Sequence, residues 1–299
     1  MTIQEVLTEG KRQLSSPCPG ALIDTPALDA VLLLAEVLHM NHEGLVIHGN
    51  DPVTEKNRKV FLSFLERRRN GECVAYILGR KEFRGLVFAV NHNVLVPRPD
   101  TETLVEAALG FIGEKENLSL LDLCTGSGVV AISLKNERPS LKVSASDISA
   151  GALDIARLNT IRLLDGRLLD RRPVNSSRNK IQFFQSDLFE TIDERYDIIV
   201  SNPPYIPQDK LETLAPELRL EPQIALDGGE DGLILIKKII ARSPDHLLPG
   251  GVLLLEADPG QMTDIETLLK KYNFGEIALY KDLAGRDRVI SGRKSTTPP

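Results

Sequence analysis

Cysteine is scarce: Cys18, Cys73 and Cys124 are the three in the chain, and they stand apart with no paired spacing. Neither a disulfide framework nor a zinc knuckle is expected, and a reducing compartment fits best. A cationic excess is missing too, since 36 lysines and arginines face 42 acidic residues for a formal net charge of −6. Without a broad positive field, tight phosphate-led binding to nucleic acid is disfavoured, though a local basic patch could sit inside that total. No uncharged run is long enough to span a bilayer, and Met1-Thr2-Ile3-Gln4-Glu5 lacks a basic region followed by an apolar one. The expectation is a cytoplasmic protein without membrane attachment. His39, His42 and His48 lie near one another, but no cysteine or second acidic cluster completes a tetrahedral set, so no metal site is expected.

What is there is an ordinary globular composition, 42% hydrophobic and 26% charged over 299 residues, enough for one large domain and a smaller one. Residues 1–72 read as a small helical domain. Thr25 before Pro26 suits a helix start, and Ala27, Ala30, Val31, Leu34, Ala35 and Leu38 recur at helical steps. A further helix begins at Thr54, turns Val60, Phe61, Phe64 and Leu65 inward, and stops at Asn70-Gly71. Arg67-Arg68-Arg69 then complements that helix's dipole, with an acidic partner as the alternative reading. Over residues 73–98 the period turns extended: 74–78, 86–90 and 94–96 read as short strands of a hairpin linker. Pro97-Arg98-Pro99-Asp100 stiffens the approach to a helix carrying Leu104, Ala107, Ala108 and Phe111, and Arg98 and Glu102 flank that rigid turn.

Residues 99–293 alternate strand and helix, with strands near 120–123, 141–146, 181–185, 196–200 and 252–255. Such alternation implies a parallel sheet covered on both faces. Two last strands near 276–280 and 288–291 are joined by too few residues for a helical crossover, so they should pair antiparallel, unlike a plain dinucleotide-binding sheet. Residues 165–180 read as an exposed polar insertion and 294–299 as a frayed tail.

The chemistry gathers at strand ends. After the first strand, Cys124-Thr125-Gly126-Ser127-Gly128 offers a backbone that a ligand can approach, followed by helix N-terminal amides. Asp147 ends the second strand, where a carboxylate can accept ribose hydroxyls, and Asp187 with Leu188 follows the third, suited to an adenine edge and face. The fourth runs into Ser201-Asn202-Pro203-Pro204-Tyr205. Proline fixes φ and holds the preceding residue extended, so the Asn202 amide oxygen and a free carbonyl stand side by side beneath an aromatic face. Two acceptors and a flat wall suit a planar NH2 group.

Together these residues resemble class I S-adenosylmethionine-dependent methyltransferases. Within them the chain is most similar to the HemK/PrmC-type enzymes that methylate glutamine N5 of peptide chain release factors. The likeness includes Ala75-Tyr76-Ile77-Leu78-Gly79, Val96 to Glu102, Asp122 to Gly128, Val200 to Ile206, Asp231-Gly232-Leu233 and Lys281 to Val289. It implies a Rossmann-like, mostly parallel seven-stranded sheet with an antiparallel last pair, and an N-terminal helical domain that docks the release factor. It also implies S-adenosylmethionine held by Cys124 to Gly128, Asp147, Asp187, Leu188 and Asn202, and a glutamine held by Asn202, Pro203, Pro204 and Tyr205. The sequence departs from the family at Cys124, where glycine is usual, and between Glu256 and Gln261. The residues alone leave open a nucleic-acid methyltransferase acting on adenine N6 or guanine N2, whose exocyclic amines carry the same two hydrogens. An inactive nucleotide-sensing scaffold is a third reading, which intact Asn202 and Asp147 disfavour.

Overall fold

A computed structural model describes residues 1–16, 23–164 and 180–295, so Cys18, nearly all of the expected insertion and the last four residues lie outside the described residues. The chain divides into two compact units. Met1–Arg80 with Thr213–Glu221 makes one, and Lys81–Glu212 with the chain from Pro222 onward makes the other.

The first unit is helical, with α1 (Ile3–Ser15), α2 (Pro26–Leu38), α3 (His42–Ile47), α4 (Glu55–Arg69) and α5 (Val74–Leu78). Helix α1 starts on a capping box between Thr2 and Glu5, and α4 on the Thr54 hydroxyl, which accepts from Asn57 N–H at 3.2 Å. Val6, Leu14, Leu33, Leu34, Phe61 and Leu65 form its core. Within α2 the buried face differs from the expected one: Ala27 is exposed and Asp29 is buried. The reason is Arg68, itself buried at the end of α4, whose Nε donates to Asp29 Oδ2 at 2.6 Å while its other arm bonds Glu217. Arg67 forks onto Glu72 at 2.7 and 2.6 Å. Two of the three closing arginines are thus held by carboxylates of this unit, beyond any service to the helix dipole.

Residues 74–78, expected as a strand, form helix α5. Cys73 is extended and Gly79 takes φ +68°, so one turn of helix is closed at both ends. A five-residue apolar run is too short to show its period. Residues 94–96 form no strand either; Val94, Leu95 and Pro97 instead line a cavity described below. The hairpin is β1 (Arg80–Phe83) and β2 (Leu86–Ala89), turned by Arg84 and Gly85, both at positive φ.

The second unit carries helices α6 (Glu102–Ile112), α7 (Val129–Glu137), α8 (Ala150–Leu163), α9 (Ile234–His246) and α10 (Met262–Lys271) around one sheet. Its strands are β3 (Ser119–Leu123), β4 (Lys142–Asp147), β5 (Ile181–Gln185), β6 (Tyr196–Ser201), β7 (Leu247–Glu256), β8 (Phe274–Lys281) and β9 (Asp287–Lys294), in spatial order β5-β4-β3-β6-β7-β9-β8. The first five are parallel; β9 pairs antiparallel with both β7 and β8, as the short β8–β9 connection requires. Ile198 and Val200 pack into the cluster with α6 and α7, while Ile199 packs into the cluster with α9 and α10. A strand covered on both faces must be apolar where it is covered, as Ile198-Ile199-Val200 are.

Candidate active site

Strand order reverses between β3 and β6, so the chain leaves these neighbours toward opposite sides and opens a crevice at their carboxyl ends. Leu123 pairs in register with Ser201, and the Ser201 hydroxyl donates to the Leu123 carbonyl at 2.8 Å. The glycine loop and the Asn-Pro-Pro-Tyr corner therefore start side by side.

The loop is wound by three positive φ values, +58° at Cys124, +54° at Gly126 and +81° at Gly128. Only the glycines adopt these without steric cost. Cys124 nevertheless takes the glycine-like conformation, so the loop keeps its winding at the cost of strain there. Gly126 faces open space, whereas a side chain at Gly128 would meet Ile132 at 2.9 Å. Asp147 spans the loop: Oδ2 accepts from Gly126 N–H and Oδ1 from Ser149 N–H, each at 2.9 Å. Asp122, buried in β3, accepts from the Thr125 hydroxyl at 2.7 Å and from Ala131 N–H at 3.1 Å. Burial pushes the Asp122 carboxyl up to about 7 and raises Asp147 as well, so both sit where a cationic ligand would favour their charged forms. Asn159 locks the far side, donating to Ser127 and Ala89 carbonyls and accepting from Ala89 N–H.

Across the crevice the corner is clamped from behind. Ile206 N–H donates to the Leu226 carbonyl at 3.0 Å, and Gln261 Nε2 donates to the Tyr205 carbonyl at 3.0 Å. A side chain at Gly232, where φ is +72°, would lie 2.4 Å from that same carbonyl oxygen. The corner can pack so tightly only because glycine stands there. Burial, with the Glu256 charge next, pushes the Tyr205 hydroxyl up, keeping the ring neutral.

Between loop and corner lies a cavity of about 240 Å³. Cys124, Thr125, Gly126, Ser127, Asp147, Asp187, Leu188, Asn202 and Pro204 line it, whereas Gly128, Pro203 and Tyr205 are not part of its lining. Gly128 instead caps α7, and Tyr205 packs on the apolar cluster beneath. Lining residues that sequence reasoning missed include Thr101, Ile148, Ile224 and Leu235. Thr101 falls within the Val96 to Glu102 stretch and Ile148 directly follows Asp147, whereas no local pattern marks Ile224 and Leu235. Arg98, singled out for its rigid turn, does line the cavity; Glu102 does not. Among the described residues no three His, Cys, Asp or Glu gather as metal ligands, and no helix is long and apolar enough to cross a membrane.

Residues 5–79 match the PrmC N-terminal domain model and residues 103–218 the methyltransferase small domain model. A release factor glutamine methyltransferase of Neisseria gonorrhoeae is 40% identical over 90% of this chain and 93% of its own length. One from Clostridium botulinum is 34% identical over 98% of this chain and 100% of its own. The chain belongs to the release factor glutamine methyltransferase family. This family's fold recurs in distant solved structures. A methyltransferase from Pyrococcus furiosus superposes with a TM-score of 0.51 at 18% identity, over 77% of this chain and 97% of that one. The hMettl16 catalytic domain gives 0.55 at 13% identity, over 82% and 83%. At such identity the likeness speaks for the fold alone.

Proposed function

We propose that this family member methylates the side-chain amide nitrogen of a glutamine in peptide chain release factors, and that Asn202, Pro203 and Tyr205 carry the chemistry. S-adenosylmethionine supplies a methyl group already activated on a sulfonium. The donor set fits it: a glycine loop open at Gly126, two carboxylates at Asp147 and Asp187, and an apolar side at Leu188, all on one cavity. An amide nitrogen is a poor nucleophile because its lone pair is delocalised into the carbonyl. The Asn202 side-chain oxygen and the Pro203 carbonyl accept the two N–H groups of the substrate amide, draw density onto nitrogen and orient it toward the cavity. Pro204 keeps the corner rigid and Tyr205 backs it. Near-attack alignment can contribute about 7–11 kcal/mol in well-oriented systems.

The observation that carries this reading is the in-register start of the two loops, which places Asn202 on the same cavity as Asp147 and the glycine loop. The acidic balance and the family favour a protein acceptor in the cytoplasm over direct contact with nucleic acid. The test supplies isotope-labelled methyl donor with purified release factor, or with DNA or RNA. Label is expected on a glutamine of the release factor, and Asn202→Ala should lower turnover roughly 10²–10³-fold while donor binding largely survives. Label in nucleic acid, or undiminished turnover in the variant, would overturn it.

A further inference from the structure

Asn202 has a neighbour on each side. Ser201 pairs with Leu123 on one flank and with Leu255 on the other, so Glu256 leaves β7 beside Asn202 much as Cys124 does beyond β3. Parallel strands lie about 4.8 Å apart, within reach of a side-chain hydrogen bond. Glu256 is 1% exposed, and the Thr101 and Asn202 side chains both lie within reach of its carboxyl and favour its charged form. Asn202 Nδ2 also donates to Thr101 Oγ1 at 3.2 Å. The three side chains adjoin one another, and an ionised carboxylate among them can only accept. With Thr101 Oγ1 taking one Asn202 hydrogen, the hydroxyl proton is free to turn to Glu256, and the second Asn202 N–H can do the same. Both amide hydrogens are then used on the protein side, which leaves Oδ1 to face the cavity.

An asparagine amide carries no intrinsic preference for which end points outward, since oxygen and NH2 have nearly the same shape. With the NH2 outward, two donors would confront the substrate's own NH2. The geometry points to Glu256 as the positioning residue that sets the direction of the Asn202 amide, with Thr101 as its relay, so that an acceptor and not a donor meets the substrate nitrogen. This inference rests on the role proposed for Asn202 and adds what makes that role possible.

Burial is the main influence on the Glu256 carboxyl and pushes it up to about 7, against the nearby Thr101 and Asn202 side chains and the Arg288 charge, with Asp100 adding to the rise. Tyr205 faces it from the corner as a neutral ring. Arg288 Nη2 is itself held by Asp100 at 2.9 Å, and Glu256 Oε2 is buried without a hydrogen-bond partner. A protonated Glu256 gains a donor, which can bond Asn202 Oδ1 and turn the amide the wrong way. Turnover in the wild type should therefore fall as pH drops through about 7.

The test measures kcat and KM for release factor from pH 6 to 9, with donor affinity by calorimetry, in wild type, Glu256→Gln, Thr101→Val and Asn202→Ala. Glutamine always carries a donor, so Glu256→Gln is expected to lower kcat at least tenfold and to lose the acid limb, with KM and donor affinity within about twofold to threefold of wild type. Thr101→Val keeps the carboxylate and breaks the relay, and it should lower kcat at least threefold; it decides the matter if Glu256→Gln does not fold. Wild-type kcat in Thr101→Val, or an acid limb that persists in a folded Glu256→Gln, overturns the inference. Asn202→Ala separates the two levels: full activity there would sink the role of Asn202 itself, whereas an inactive Asn202→Ala beside an unaffected Glu256→Gln sinks only this proposal.

Discussion

Replacing Asp147 by asparagine probes the donor half of the cavity while keeping its shape. Oδ1 and Oδ2 accept from Ser149 and Gly126 N–H, each at 2.9 Å. Asparagine has one oxygen, so one of those amides must face an NH2 group, and on the proposed reading a ribose hydroxyl loses an acceptor as well. A hydrogen bond to a charged group contributes about 1.5–3 kcal/mol, and about 1.4 kcal/mol is tenfold in affinity. The Kd for S-adenosylmethionine is expected to rise roughly 10–150-fold, read by calorimetry with the donor and its demethylated product. The ligand-free variant should lose about 1–3 kcal/mol from the amide left facing a donor, read by denaturant melting. Burial raises the Asp147 carboxyl, so wild-type affinity should weaken as pH falls through that raised range, and the variant should show less of this weakening. A Kd within twofold of wild type, or an identical pH dependence, would refute the role of this carboxylate.

Two other expectations follow from burial and backbone. Arg68→Met leaves Asp29, which is 4% exposed, without its partner at 2.6 Å. Breaking such a buried pair costs about 3–5 kcal/mol, seen as a lower denaturant midpoint, whereas Asp29→Leu with Arg68→Met should recover most of it; equal losses in the single and double variants would count against the pair. Cys124→Gly removes a side chain held at φ +58°. Left-handed backbone costs about 1–2 kcal/mol for a non-glycine residue, offset by about 0.5–1 kcal/mol of glycine's extra unfolded freedom. The variant is expected to melt no lower than wild type and to bind donor at least as well; a clear loss of either would show that the thiol's packing on the cavity wall matters more than the strain.

Local pattern reached far into this molecule. Short apolar or alternating segments marked the strands of the large sheet, the short segment between 281 and 287 dictated an antiparallel last pair, and the two prolines after Asn202 announced a rigid corner. These are effects of neighbours along the chain, where backbone sterics and side-chain alternation act within a few residues. They failed at 74–78 and 94–96, where a run of a few apolar residues fits helix, strand or cavity wall equally well. What only the folded chain decided are meetings between distant residues: Arg68 with Asp29, Asn159 with Ala89, and Thr101 with Asn202 beside the end of β7. The partner of a buried polar group is fixed by strand order, register and packing, because burial makes an unmet hydrogen bond costly wherever its answer lies in the sequence. The residues suggested the chemistry; the sheet's switch point and its register alone brought Cys124, Asn202 and Glu256 into a row across three strand ends.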